Sequence, residues 1–200
     1  VLLYGGVLLD ASDPRAVEQL PGAPIEIFDF QSGQATIVTD DGTKYRRGHT
    51  ATLLSDGSVL IAGGRLPGEN RTPTSQIRVF VPNGVSGTVE LAKVASDARV
   101  RHQACALPGD NVLLAGGEDL LDVPTDSAEV VSVDGISARV CSMHHARVGH
   151  RIVALKDGTC LVVGGRDETG APVADIERFV PPPAGASYVP SLGLCQTGAD

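Results

Sequence analysis

No apolar run in this 200-residue chain approaches the ~20 residues a helix needs to cross a bilayer. The longest, such as Val59 to Ala62 and Leu161 to Val163, span a few residues each, so no membrane span is expected. Basic residues are scarce too: 16 Lys and Arg face 24 Asp and Glu, giving a net charge of −8 and a pI near 5.0. Such a balance offers no broad basic footprint for phosphate backbones, and nucleic acid is not expected as a partner. Cys-x-x-Cys with metal-ligand spacing is absent, as are a Gly-rich phosphate loop and a nucleophile elbow. Neither a cofactor nor a metal is expected. Tryptophan is missing and aromatics make up 4% of the chain. What is present is 42% apolar residues, too many for a disordered chain, and 24 Gly without the regular spacing of a collagen. Val, Ile and Thr recur in short stretches cut by Gly, Pro and Asp-Gly, which argues for strands over helices. The expectation is an all-β protein.

Three segments align without gaps: His49 to Gly64 (HTATLLSDGSVLIAGG), His102 to Gly117 (HQACALPGDNVLLAGG) and His150 to Gly165 (HRIVALKDGTCLVVGG). In each, the first Gly of the doublet falls 14 residues after the His, and an Arg sits three residues before it, at Arg46, Arg99 and Arg147. A further doublet, Gly5-Gly6, follows Val1-Leu2-Leu3-Tyr4. The doublets are separated by 58, 53 and 48 residues, so the unit is about fifty residues long with variable loops.

Each unit reads as four strands. The first is Thr50–Leu54, Gln103–Leu107 or Arg151–Leu155, followed by Asp56-Gly57, Gly109-Asp110 or Asp157-Gly158. Those pairs suit two-residue hairpin turns. The second strand is an apolar run ending in the doublet, as expected of a strand covered on both faces. The third is Ile25–Phe30, Ile77–Val81, Ala128–Val133 and Ile176–Val180; the fourth is Ala35–Val38, Thr88–Val94, Ser137–Cys141 and a stretch near Ser187–Val189. One helical turn is expected at Pro14–Gln19, where Asp13 can cap and Pro14 fits the first position.

Arg-x-x-His, an apolar strand, Asp-Gly, a second apolar strand and Gly-Gly together resemble the kelch repeat, and the wording of the units is similar to kelch-like and galactose-oxidase-like bacterial proteins. The resemblance covers essentially the whole chain. It implies a β-propeller of four-stranded antiparallel blades, here approximately 1–40, 46–97, 99–145 and 147–200 in one domain. The chain departs from the family's pattern in having no Trp for strand four, and Phe28, Phe80, Val131 and Phe179 where Tyr is usual in strand three. Kelch-like rings usually close with six or seven blades, which needs about 300 residues or more, so the four units are expected to belong to a larger ring. Closure at four is the alternative.

The repeat positions Arg46, His49, Gly63, Gly64, Arg99, His102, Gly116, Gly117, Arg147, His150, Gly164 and Gly165 are read as structural, since every unit needs them. The His ring is expected to bond backbone near the blade junction, and the Arg to meet an acidic group or carbonyl between blades. Ligand binding is expected at the rim of long loops between strands two and three, where Arg65, Arg71, Glu118, Asp119, Arg166 and Asp167 stand. The acidic group Glu118, Asp119, Asp122 and Asp126 reads as a solvated loop, with a calcium site as the alternative. Cys105 and Cys160 read as buried small hydrophobes, and a disulfide framework in an exported protein is the other reading; Cys141 and Cys195 lie at the outer ends of their units.

The implied function is a non-enzymatic binding or scaffold module for a protein or carbohydrate ligand, with an extracellular or periplasmic location favoured. The family resemblance supplies a second class. Galactose-oxidase-like copper-radical enzymes place a Tyr-His pair at the repeat position where this chain has Gly48, Arg101 and Gly149 before its three His. None can supply a phenolate, so the alternative is a galactose-oxidase-like copper-radical oxidase whose catalytic residues lie largely outside this chain.

Overall fold

The computed structural model describes residues 2–3, 25–38, 46–66, 72–84, 86–95, 97–132, 137–181 and 195–197, and every regular element among them is a strand. Four antiparallel sheets follow one another along the chain. The first has three strands, β1 (Leu2–Leu3), β2 (Ile25–Asp29) and β3 (Gln34–Val38). The second comprises β4 (Thr50–Leu53), β5 (Val59–Ala62), β6 (Gln76–Asn83) and β7 (Ser86–Val94). The third holds β8 (Gln103–Leu107), β9 (Asn111–Ala115), β10 (Ser127–Ser132) and β11 (Ser137–Ser142). The fourth holds β12 (Arg151–Ala154), β13 (Cys160–Val163), β14 (Glu177–Phe179) and β15 (Cys195–Thr197). Within each sheet the strands pair in sequence order. These are blades of a β-propeller, and the sheets do not close on one another. The first strands β4, β8 and β12 lie side by side, and the ladder of each blade runs away from them. No helix among the described residues is long and apolar enough to cross a membrane.

The core lies between blades rather than inside them. Along β9, Val112 and Leu114 pack with Leu54, Leu60, Ala62 and Ile77 of the second blade. Leu113 and Ala115, on the opposite face, pack with Cys160, Val162 and Phe179 of the fourth and with Met143 at the end of their own blade. Successive side chains of a strand point to opposite faces, so a strand sandwiched between two blades must be apolar at every position. That requirement explains the unbroken run before each Gly doublet.

Four sequence expectations need correction. The hairpins joining first and second strands close with three loop residues, not two: Leu54 N donates to Ser58 O and Leu155 N to Thr159 O. In the second and fourth blades only the third loop residue, Gly57 or Gly158, is left-handed, at φ 86° and 83°, whereas in the third blade Gly109 and Asp110 both are, at 74° and 55°. A type I turn followed by a left-handed residue is the usual three-residue hairpin. Asp56 instead accepts from the Ser58 amide and hydroxyl, and Asp157 does the same for Thr159. The fourth blade's outer strand is Cys195–Thr197, paired with Glu177–Phe179, while the expected Ser187–Val189 lies outside the described residues. Its third strand is Glu177–Phe179, shorter than the expected Ile176–Val180. The helical turn at Pro14–Gln19 also lies outside them.

The fourth correction concerns cysteine. Cys105 and Cys160 are buried as expected, but they are bonded to each other, across a sequence separation of 55. Cys105 on β8 faces the fourth blade and Cys160 on β13 faces back, so the bridge crosses the blade junction inside its core. Cys141 is also disulfide-bonded, and no free cysteine remains among the described residues.

Candidate functional site

The strands alternate in direction, so each first strand begins at the same rim where the second strand ends. Arg46, Arg99 and Arg147 are buried there, 0–1% exposed. Each clamps its own blade by donating to two carbonyls: Arg46 Nη1 to Gly63 O and Gln76 O at 3.0 and 2.8 Å, Arg99 Nη1 to Gly116 O and Ser127 O, and Arg147 Nη1 to Gly164 O and Asp175 O. The second guanidinium nitrogen takes a side chain of strand three: Gln76, Ser127 with Glu129, or Glu177. These contacts lie within a blade, between the ends of its second and third strands, rather than between blades.

The histidines work across the junction. His150 donates from Nε2 to Ala115 O, 3.1 Å away in the preceding blade. His102 Nε2 bonds the hydroxyl of Thr50, at 2.9 Å, so its partner in the preceding blade is a side chain and not backbone. Burial is the main force holding both rings neutral, with the Arg99 and Arg147 charges adding to it; His102 is pushed well below its usual range and His150 to about 4.

The glycine doublet divides the work between these contacts. A Cβ on Gly63 would stand 2.6 Å from Arg99 O and 2.8 Å from His102 Cε1, both of the next blade. A Cβ on Gly64 would stand 2.9 Å from His49 Cβ in its own blade. One glycine therefore admits the neighbour and the other admits its own first strand.

Above these seats, the starts of β4, β8 and β12 surround a cavity of about 670 Å³. Its polar lining includes Thr50, Arg101, Gln103, Glu118, Arg151 and Arg166. Glu118 is 7% exposed and joins two cations. Arg101 Nη1 donates to both its carboxylate oxygens, at 2.9 and 3.2 Å, and Arg65 lies 3.9 Å away. Arg65 also pairs with Asp122.

Of the residues read from sequence as a binding rim, the structure brings Arg65 and Glu118 into contact, and Glu118 and Arg166 line the cavity. Asp119 and Asp167 are occupied with their own loops. Asp119 accepts from the Leu121 and Val123 amides, and Asp167 from Thr169 and Ala171. Arg71 lies outside the described residues. No group of three metal-binding side chains occurs among the described residues. Sequence reasoning passed over Arg101 and Arg151 as site residues. For Arg101 the signal was available: it replaces the glycine that stands before the other two histidines.

The residues do not fit the copper-radical arrangement that the sequence resemblance raised. The position before each His holds Gly48, Arg101 or Gly149, and His102 and His150 are buried with Nε2 committed to Thr50 and Ala115.

Comparison with known proteins supports the fold. No protein-family model matches the chain, and none of the curated proteins matches it. Among solved structures, that of YjhT is similar, with a TM-score of 0.69 at 13% sequence identity, over 92% of this chain and 64% of that one. The chain thus spans a little under two thirds of the length of YjhT. The shared feature is a β-propeller-type architecture.

Proposed function

We propose that this chain is a kelch-like propeller segment acting as a binding module, whose ligand enters the cavity at the rim where the first strands begin. One observation carries the reading. Among the described residues at that rim, the positions on either side of each repeat His (Gly48, Arg101, Gly149 and Thr50, Gln103, Arg151) vary chemically from unit to unit, and they line the 670 Å³ cavity together with Glu118 and Arg166. Conserving the buried clamp while varying the lining separates scaffold from recognition. Protein loops and carbohydrates are the ligand classes such a mouth fits. The buried disulfide between the third and fourth blades supports an oxidising, exported setting.

Hydrogen–deuterium exchange on the protein, with and without hits from a glycan array and a peptide array, tests this. A ligand should protect Gly48–Thr52 and Arg101–Ala104. Protection confined to the three-residue turns at the opposite rim, or to the outer strands, would overturn the proposal.

A further inference from the structure

Resting on that reading, we propose that Arg101 is the anchor for an organic carboxylate in the cavity, and that Glu118 is its positioning residue. The third blade departs from the repeat at two charged positions, and those two departures are bonded to each other. Where Arg101 stands, the second and fourth blades have Gly48 and Gly149. All three positions are left-handed, at φ 66°, 57° and 72°, a conformation that glycine adopts freely and arginine does not. A Cβ on Gly48 would stand 2.5 Å from Val100 Cγ2 of the next blade while one on Gly149 would meet nothing within 4 Å, so what the two positions share is the left-handed backbone. The fold therefore asks for no side chain here. Arg101 keeps its backbone bond, N to Gly48 O at 2.8 Å, which any residue would make.

Glu118 is the second departure. Arg65 and Arg166 occupy the corresponding place after the other doublets, and all three make the same bridges to flanking strands. Again the scaffold does not require the carboxylate. Strained non-glycine residues that the scaffold does not need collect at functional sites.

The chemistry selects the ligand. Arg101 is 65% exposed at its side chain, and Glu118 engages only its Nη1. Nε and Nη2 make no hydrogen bond among the described residues, leaving a donor edge of the kind that carboxylates accept. Arg151 and Arg166 line the same cavity, while Glu118 is the one carboxylate among its described lining residues and is shared with Arg65. The mouth is cationic in a chain of net charge −8, so an anion is drawn to this place against the charge of the whole.

Calorimetry on the whole protein at low salt, using D-glucuronate and succinate with D-glucose and sulfate as controls, tests the assignment in wild type, Arg101→Gly, Glu118→Gln and Glu118→Ala. Expected is carboxylate binding that Arg101→Gly weakens by about tenfold or more, the loss of a charge-assisted pair. The same variant relieves the left-handed strain but leaves the buried Glu118 carboxylate with Arg65 alone, so binding is compared at a temperature where both proteins are folded. Glu118→Gln, which can still accept from Arg101, should retain more carboxylate binding than Glu118→Ala and keep the preference over sulfate. An Arg101→Gly protein that binds carboxylates as well as wild type would show that Arg101 is not the anchor. Equal affinity for sulfate, or no carboxylate binding at all, would equally overturn the assignment. A neutral ligand protecting the same mouth while Arg101→Gly has no effect would sink this inference and leave the binding-module reading standing.

Discussion

His150 reaches from the fourth blade into the third, where its ring donates to Ala115 O and its Cε1 lies 2.6 Å from where a Cβ on Gly116 would stand. A carbonyl only accepts, so Nε2 carries the proton and the buried Nδ1 is left bare. Protonating the ring would place a positive charge in a buried site beside the Arg147 guanidinium.

This relationship makes the blade junction acid-sensitive. His150 titrates near 4 in the folded protein, against 6.5 in an exposed chain. The unfolded state therefore binds more protons between those values, and stability falls as pH drops through that window, then levels below it. The gap corresponds to about 3 kcal/mol from this residue, and His102 acts in the same direction. Urea titrations at pH 7 and pH 4.5 should show the loss. His150→Asn should shrink the difference between the two pH values; an unchanged difference would refute the assignment.

The two glycines that begin the third and fourth doublets should respond differently to one methyl group. Gly116 has φ 61° and is walled in by His150 Cε1 and Arg147 O at 2.6 and 2.7 Å from an added Cβ. Gly164 has φ 68°, and nothing described lies within 4 Å of its added Cβ. Gly164→Ala should cost only the left-handed strain, about 1–2 kcal/mol. Gly116→Ala adds overpacking of about 1–3 kcal/mol. Denaturant midpoints for the two variants should rank in that order. Equal midpoints would mean that the doublet serves its own blade alone.

Much of the scaffold is visible in the sequence because it is repeated. A residue demanded by every junction must recur, and so Arg46, Arg99 and Arg147, the histidines and the doublets stand out by spacing. The strands between them follow from apolar runs that two-sided burial makes unavoidable. What repetition cannot show is direction. The pairing of Cys105 with Cys160 depends on one side chain facing forward from β8 and the other facing back from β13, and no single-unit pattern encodes that. The cavity was hidden for the opposite reason. Arg101 breaks the repeat, and a search for what recurs discards what does not.

The disulfide should contribute measurably to holding the third and fourth blades together. Closing a loop of this separation, 55 residues, restricts the unfolded chain by about 4 kcal/mol in the chain-entropy account. Replacing both cysteines with alanine should lower unfolding free energy by about 2–5 kcal/mol. Because the bridge lies in the core, at 4% and 0% exposure, a mild thiol reductant should leave the native protein unreduced. Rapid reduction without unfolding would show that this junction opens on its own.

The last expectation concerns the far face of the fourth blade. Ala62 and Ala115, 0% and 1% exposed, are covered by the next blade; the corresponding Val163 is 37% exposed. Ile77 and Ala128 are both 1% exposed, and the corresponding Ile176 is 50% exposed. The inward-facing neighbours Cys160, Val162, Glu177 and Phe179 remain at 2% or less, so the contrast belongs to one face of one sheet. Apolar surface of this kind gains about 25 cal/mol for each Å² removed from water. A preparation of these 200 residues should therefore self-associate in sedimentation velocity at micromolar concentration. Ile176→Asp with Val163→Asp should shift it toward monomer, since both side chains belong to this partly open face. A wild-type chain that sediments as a monomer at every concentration would contradict this reading of the face.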